Sequence, residues 1–287
     1  MKEAHYALKG IYIGDCLGLP YEGLSSKQIQ KLNPNFFQSP WLHKEWFFSD
    51  DTEHASFTLK ALTESKDLDS FKRLLLKEFR SWFLTLPPGS GLATMKAGFK
   101  SLLYFVPPGV NSQGNGPLMR ATVIGAFFHQ NDEERKKYIQ VSTMMTHSDP
   151  VTDEVAQWVG KIAASLIQNP TKSIRDHFDH FDDQIPNSRS PGWCIESRDI
   201  CRYAFVESGG DLKKAIELVI QIGGDTDTNA AIVASWCYLL QKNQQSFIEF
   251  SVPGPSYFQL LLIHIIQFLC FLPWMIRRRL PLALSGK

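Results

Sequence analysis

Apolar residues recur three and four positions apart along most of the 287-residue chain, as in Phe71, Leu74, Leu75, Phe79 and Trp82, and runs that alternate apolar with polar are few. That period belongs to amphipathic helices and not to strands, so the chain is expected to be all-α. The pattern predicts helices near residues 3–17, 51–65, 68–85, 92–104, 118–129, 132–145, 150–167, 195–207, 211–222, 228–241 and 257–276. Turn-rich breaks fall at Pro87–Gly91, at Val106–Pro117, in NPTKS and in VPGPS. Apolar residues make up 44% of the chain and charged residues 21%, a composition that buries a large core and excludes disorder and fibres. No repeat or low-complexity linker divides it. The one shift in composition, at Pro253–Pro255, suggests a helical domain over residues 1–250 and a distinct segment over 251–287.

Thirty Lys and Arg against 29 Asp and Glu leave a net charge of +1, so no long-range field favours a polyanion and nucleic acid is not an expected partner. The five cysteines are odd in number and scattered, without a CxxC pair, which argues against a disulfide framework or a thiolate zinc site. With an N-terminus that lacks an apolar signal core, they point to a reducing, cytoplasmic setting.

Two segments concentrate acid where helices start. In FFSDDTEHA, Ser49, Asp50 and Asp51 precede an apolar-periodic stretch; in QIGGDTDTNAA, Asp225, Asp227 and Thr228 follow a glycine pair. Each could be an ordinary N-cap, since hydroxyls and carboxylates there accept the free backbone N–H groups. Together they also offer four carboxylates and two hydroxyls, a hard-oxygen set that suits magnesium, manganese or calcium better than zinc. Other polar islands lie between. GDCLGLPYEG carries Asp15 and Glu22 around a helix end. The glycine-rich turns PPGSGLAT and SQGNGPLMRA could each be a plain helix start or a nest of N–H groups for a phosphate. His147, in MMTHSDP, could be solvated or could meet a ligand.

Taken in order, GDCLGLPYEG, SDDTEHA, PPGSGLAT, GNGPLMRA, THSDP, GWCIESRDICRYAF and GGDTDTNAAI resemble the ADP-ribosylglycohydrolase family, over about residues 5–240. The resemblance implies a compact orthogonal helical bundle around a two-metal cleft. It implies that Ser49, Asp50, Asp51, Asp225, Asp227 and Thr228 hold two Mg²⁺ or Mn²⁺ ions. Gly89, Ser90, Gly91 and Thr94 would form the phosphate loop, with Asn115, Gly116 and His147 lining the ADP-ribose groove. Glu22 or Asp51 would act as general base. The implied reaction is hydrolysis of the glycosidic bond between ADP-ribose and an acceptor, with an ADP-ribosylated protein or other ADP-ribose conjugate as partner. An inactive ADP-ribose-binding relative and a metal-dependent phosphohydrolase are the alternatives.

Two features depart from the family pattern. Ser235 and Trp236 stand where small residues are usual. The apolar run Leu260–Ile276, followed by Arg277, Arg278 and Arg279, has no counterpart; it could close the core, form an interface, or contact a membrane with a cationic flank. Gln267 and His264 near its middle would be costly in lipid, which favours core or interface. Deleting residues 257–287 should then give an insoluble or much less stable protein, because each large side chain buried contributes roughly 1.5 to 3 kcal/mol. A truncated protein as stable and active as the full chain, with the full chain sedimenting on membranes, would assign the run to an anchor instead.

Overall fold

A computed structural model describes residues 1–32, 48–179 and 184–241, together with Gln259, Leu261, Leu262, His264, Ile265 and Leu269 of the C-terminal segment. Among the described residues the chain is an all-α bundle of eleven helices: α1 (Lys2–Gly18), α2 (Ser26–Leu32), α3 (Asp50–Glu64), α4 (Leu68–Phe83), α5 (Leu92–Leu102), α6 (Leu118–Phe127), α7 (Asp132–Thr143), α8 (Pro150–Gln168), α9 (Cys194–Glu207), α10 (Leu212–Ile222) and α11 (Thr226–Gln241). A two-residue antiparallel ladder joins Leu24–Ser25 (β1) to Gly223–Gly224 (β2).

The ends of these helices follow from local chemistry. Asp67 and Ser70 form a reciprocal capping box at the start of α4. Asp149 caps α8 with Pro150 in its first turn, where a missing N–H costs nothing. Pro20 ends the regular helix of α1 in the short 3₁₀ turn Leu19–Tyr21. The limits of α1 and of α3 to α11 lie within two residues of those expected, while the limits of the helix expected over 257–276 lie outside the described residues. α2 and the β1–β2 ladder were not anticipated, and α11 begins at Thr226 rather than 228. The expected domain limit near residue 250 lies outside the described residues, as do Arg277–Arg279.

α11 is the central helix. Every residue from Thr226 to Leu239 is buried, and it meets α1, α6, α8, α9 and α10. Trp236 fills the middle of an aromatic cluster, its ring 5.8 Å from Trp158, 6.1 Å from Phe178 and 5.6 Å from Phe205. The departure at Ser235 and Trp236 is thus absorbed by packing. On the opposite side α11 lies directly against α1 along three glycines, Gly10, Gly14 and Gly18. A Cβ built on Gly10 would come 2.5 Å from Ser235 Cα, and those on Gly14 and Gly18 would overlap the backbone of Ala230 and Thr226. Glycine is required here by proximity, not by φ.

In the C-terminal segment the described residues are helical; His264 is buried while Leu262, Ile265 and Leu269 are exposed. No helix among the described residues is long and apolar enough to cross a membrane. Cys16, Cys194, Cys201 and Cys237 are free thiols.

Because the α1–α11 contact is backbone on backbone, Gly14→Ala should lower stability by about 1–3 kcal/mol, the usual cost of overpacking. Thermal unfolding of the variant measures it; an unchanged melting temperature would show that the helices can separate freely.

Candidate metal centre and cleft

Three chain segments bring acid to one place, and each does so through a helix end. At the start of α3, the Ser49 hydroxyl accepts from the Asp51 amide at 3.1 Å, the expected cap. Before α11, Gly223 and Gly224 both adopt positive φ (82° and 85°) in the ladder, a conformation that favours glycine. This turn leads Asp225 into the helix, where Thr226 donates its hydroxyl to the Gly18 carbonyl at 2.8 Å. At the end of α1, Asp15 is fully buried and accepts from the Ser49 amide (2.9 Å), the Thr52 amide (3.1 Å) and the Thr52 hydroxyl (2.5 Å). The carboxylate of one helix therefore caps another.

Asp15, Asp51 and Asp227 form a buried triad in which one oxygen of each lies within 4.8 Å of the others. Among the described residues, Asp51 Oδ2 and Asp227 Oδ1 are buried without a hydrogen-bond partner. Burial pushes the Asp15 carboxyl up to about 6, against the pull of its bonds from Thr52 and Ser49. Asp51 rises well above the usual range, through burial and then the charges of Asp15, Asp50 and Asp225. Asp227 rises likewise, through burial and the charges of Glu22, Asp225 and Asp51. Asp50 is raised to about 8 by loss of water and then by Glu53, Asp15, Glu22 and Asp225. Carboxylates so crowded must either bind protons or share a cation. Buried oxygens without partners and an all-oxygen donor set fit a hard divalent ion.

The triad borders a cleft of about 320 Å³. Glu22, Asp50, Asp51, Asp225, Asp227 and Thr228 form its acidic end, and Gly89, Gly91, Thr94, Asn115, Gly116 and His147 line the rest. Asn115 ties the two ends together, its Nδ2 donating to Asp225 Oδ2 at 2.8 Å and to the Ser197 hydroxyl at 2.9 Å. Two expected residues fall outside this lining, Ser49 beside Asp50 at its margin and Ser90 away from it. Ser49 lines a smaller adjoining chamber, and the Ser90 hydroxyl donates to the Pro87 carbonyl at 3.5 Å, outside both linings.

His147 packs over the Gly114–Gly116 turn, where a Cβ on Gly114 would come 2.6 Å from its Nε2. Its pKa is lowered to about 3, by burial and then by Arg120, so the ring is neutral. Arg120 is itself buried and was not among the sequence candidates. Its guanidinium donates to Ser142 Oγ (3.0 Å), to the Ser142 carbonyl (3.1 Å) and to Thr146 Oγ1 (2.7 Å), and meets His54 Nδ1 at 2.7 Å. Burial lowers its pKa to about 9, while Asp50 and Asp51 act to keep it charged. It therefore places a fixed positive charge behind the carboxylates. Asp15 was also overlooked as a site residue, although it follows Ala4, Ala7, Leu8 and Ile11 at helical spacing on a buried face, which is the signal that could have found it.

Known proteins extend this picture. The sequence pattern of the family described as ADP-ribosylglycohydrolase matches residues 2–237. An uncharacterised protein of Archaeoglobus fulgidus is 25% identical over 255 residues, covering 78% of this chain and 82% of its own length. A protein of Acanthamoeba polyphaga mimivirus, provisionally described as an ADP-ribosyl glycohydrolase, is 23% identical over 286 residues, covering 81% and 84%. A solved structure described as an ADP-ribosylglycohydrolase-related protein complex shares the fold, with a TM-score of 0.62 at 18% identity, over 91% of this chain and 95% of its own.

The raised carboxyls fix the sign of a pH effect. Their neutral forms are favoured by folding, so this contribution is complete below the ordinary carboxylate pKa of about 4 and is lost as pH rises through the folded values, about 6 for Asp15 and about 8 for Asp50. In metal-free buffer the melting temperature should fall from about pH 5 to about pH 9, and added Mg²⁺ or Mn²⁺ should raise it by an amount that grows across that window. A melting temperature indifferent to both would contradict the reading of the triad as a cation site.

Proposed function

This chain belongs to the ADP-ribosylglycohydrolase family, and we propose that it is a metal-dependent hydrolase that cleaves the glycosidic bond between ADP-ribose and an acceptor and releases ADP-ribose. The observation that carries the reading is the buried triad of Asp15, Asp51 and Asp227, with two oxygens that lack partners among the described residues, at one end of a cleft bordered by glycine-rich helix starts. We assign two Mg²⁺ or Mn²⁺ ions to this acidic end, held by the triad together with Asp50, Asp225 and the hydroxyls of Ser49 and Thr228. Bound there, a divalent ion supplies the positive charge that lets water lose a proton near neutral pH.

The residues of the chain divide the remaining work. The turn ahead of α5 is the one that suits the diphosphate of ADP-ribose, because the amides of Gly114, Asn115 and Leu118 ahead of α6 already donate to Ser112 Oγ, the Gly192 carbonyl and the Asn115 carbonyl. His147, neutral and packed on the turn ahead of α6, offers a flat apolar ring with no charge to repel or bind phosphate. Cleavage at the ribose passes through an oxocarbenium-like transition state, which gains positive charge. Its neighbours at the acidic end are carboxylates, so the field there favours that charge over the neutral ground state. Glu22 follows the Leu19–Tyr21 turn and is partly exposed at the cleft, so it can exchange a proton with water; we assign it as general base. Asp51, buried with an oxygen unpartnered, suits ion binding better than proton transfer.

Incubation with arginine-linked and serine-linked ADP-ribosyl peptides tests the reading by its products. Free ADP-ribose is expected; AMP would indicate a phosphohydrolase, and no product with retained ADP-ribose binding would indicate a binder. EDTA should abolish turnover and Mg²⁺ restore it. Asp51→Asn and Asp227→Asn should each lower kcat/KM by about 100-fold or more. Glu22→Gln should lower kcat by about 100-fold with little change in KM, as removal of a general base does.

A further inference from the structure

The family match ends at residue 237, yet the C-terminal segment reaches the site. His264 is only 2% exposed. Its Nε2 lies 2.7 Å from Glu53 Oε1, and its Nδ1 lies 2.9 Å from Thr85 Oγ1 and 3.1 Å from the Thr85 carbonyl oxygen. The other Glu53 oxygen accepts from Trp82 Nε1. Because Nδ1 faces a carbonyl and Nε2 a carboxylate, both ring nitrogens act as donors and the ring is held as an imidazolium, fixed in place from α3 and from the turn after α4.

That ring walls a second, smaller chamber of about 40 Å³, which shares Glu22, Asp50, Gly89 and Asp227 with the larger cleft and is lined also by Phe48. A molecule that lay in the larger cleft with its ribose at the acidic end would direct whatever is attached beyond the scissile bond into this chamber. We infer that the chamber is the leaving-group pocket and that His264 is a specificity-determining residue, limiting acceptors to slender head groups. The inference rests on the glycosidic reading above. At about 40 Å³ against about 320 Å³ for the larger cleft, the chamber has room for a small head group before it has room for a ring.

The test compares hydrolysis of two synthetic conjugates, the methyl and the benzyl glycosides of ADP-ribose. The wild-type protein should prefer the methyl glycoside by about 100-fold in kcat/KM, the scale that steric exclusion by a pocket provides. His264→Ala should reduce that ratio at least about tenfold, and added imidazole, by refilling the vacated space, should restore it. His264→Phe keeps a ring of similar size without the bond to Glu53, so it should retain the preference even if its melting temperature falls. An unchanged ratio in His264→Ala, or a ratio lost equally in His264→Phe, would overturn the role of His264 while leaving the glycosidic reading intact. Failure of the wild-type protein to cleave either conjugate would overturn the assignment of the chamber, and failure on the ADP-ribosyl peptides as well would overturn the glycosidic reading on which it rests.

Discussion

Contact between two backbones governs the site. Because Gly10, Gly14 and Gly18 present no side chains to α11, the last turn of α1 and the first turn of α11 lie side by side, and Thr226 can donate to the Gly18 carbonyl across the seam. Side chains of ordinary size would hold these axes 8–10 Å apart or farther. Asp15 and Asp227 would then be separated, and the triad would lose two of its three members from mutual reach. The seam thus converts a packing motif into a constraint on charge.

Bringing acids together in a protein interior is unfavourable unless their charge is answered. Several features of the fold do so in part. The N-terminal N–H groups of α3 face Asp15, Asn115 donates to Asp225, and the buried Arg120 guanidinium feels the charges of Asp50 and Asp51. None of these reaches Asp51 Oδ2 or Asp227 Oδ1. The residual demand for positive charge is therefore local, at the acidic end of the cleft.

Much of this was legible in the sequence because it is periodic or punctuated. The long amphipathic helices followed from spacing, and their starts from Ser, Asp and Pro. What escaped was either short or non-local. α2 buries only Ile29 among polar neighbours, too little for a helical stripe to register. The β1–β2 ladder has two residues a side, too few to alternate. α11 starts before Asp227 because Asp225, placed by the glycine turn, precedes the first helical residue. Arg120 interrupts an otherwise apolar helix, but its partners come from α3 and from the end of α7, which no local pattern reveals. The Glu53–His264 pair joins residues 211 positions apart, in a segment whose apolar composition suggested membrane or core and gave no hint of a cleft.

The cap on α3 is supplied by another helix, and this ties the two ends to one another. The amides of Ser49 and Thr52 have their acceptor in Asp15, so the first turn of α3 completes only when α1 is seated. Fraying at one end exposes the other, and the elements that frame the cleft open and close as one cooperative unit rather than as independent loops. A site assembled this way inherits its order from a helix that carries none of its cleft-lining residues: α1 holds the start of α3 through Asp15, and α3 in turn places Asp50 and Asp51 at the cleft.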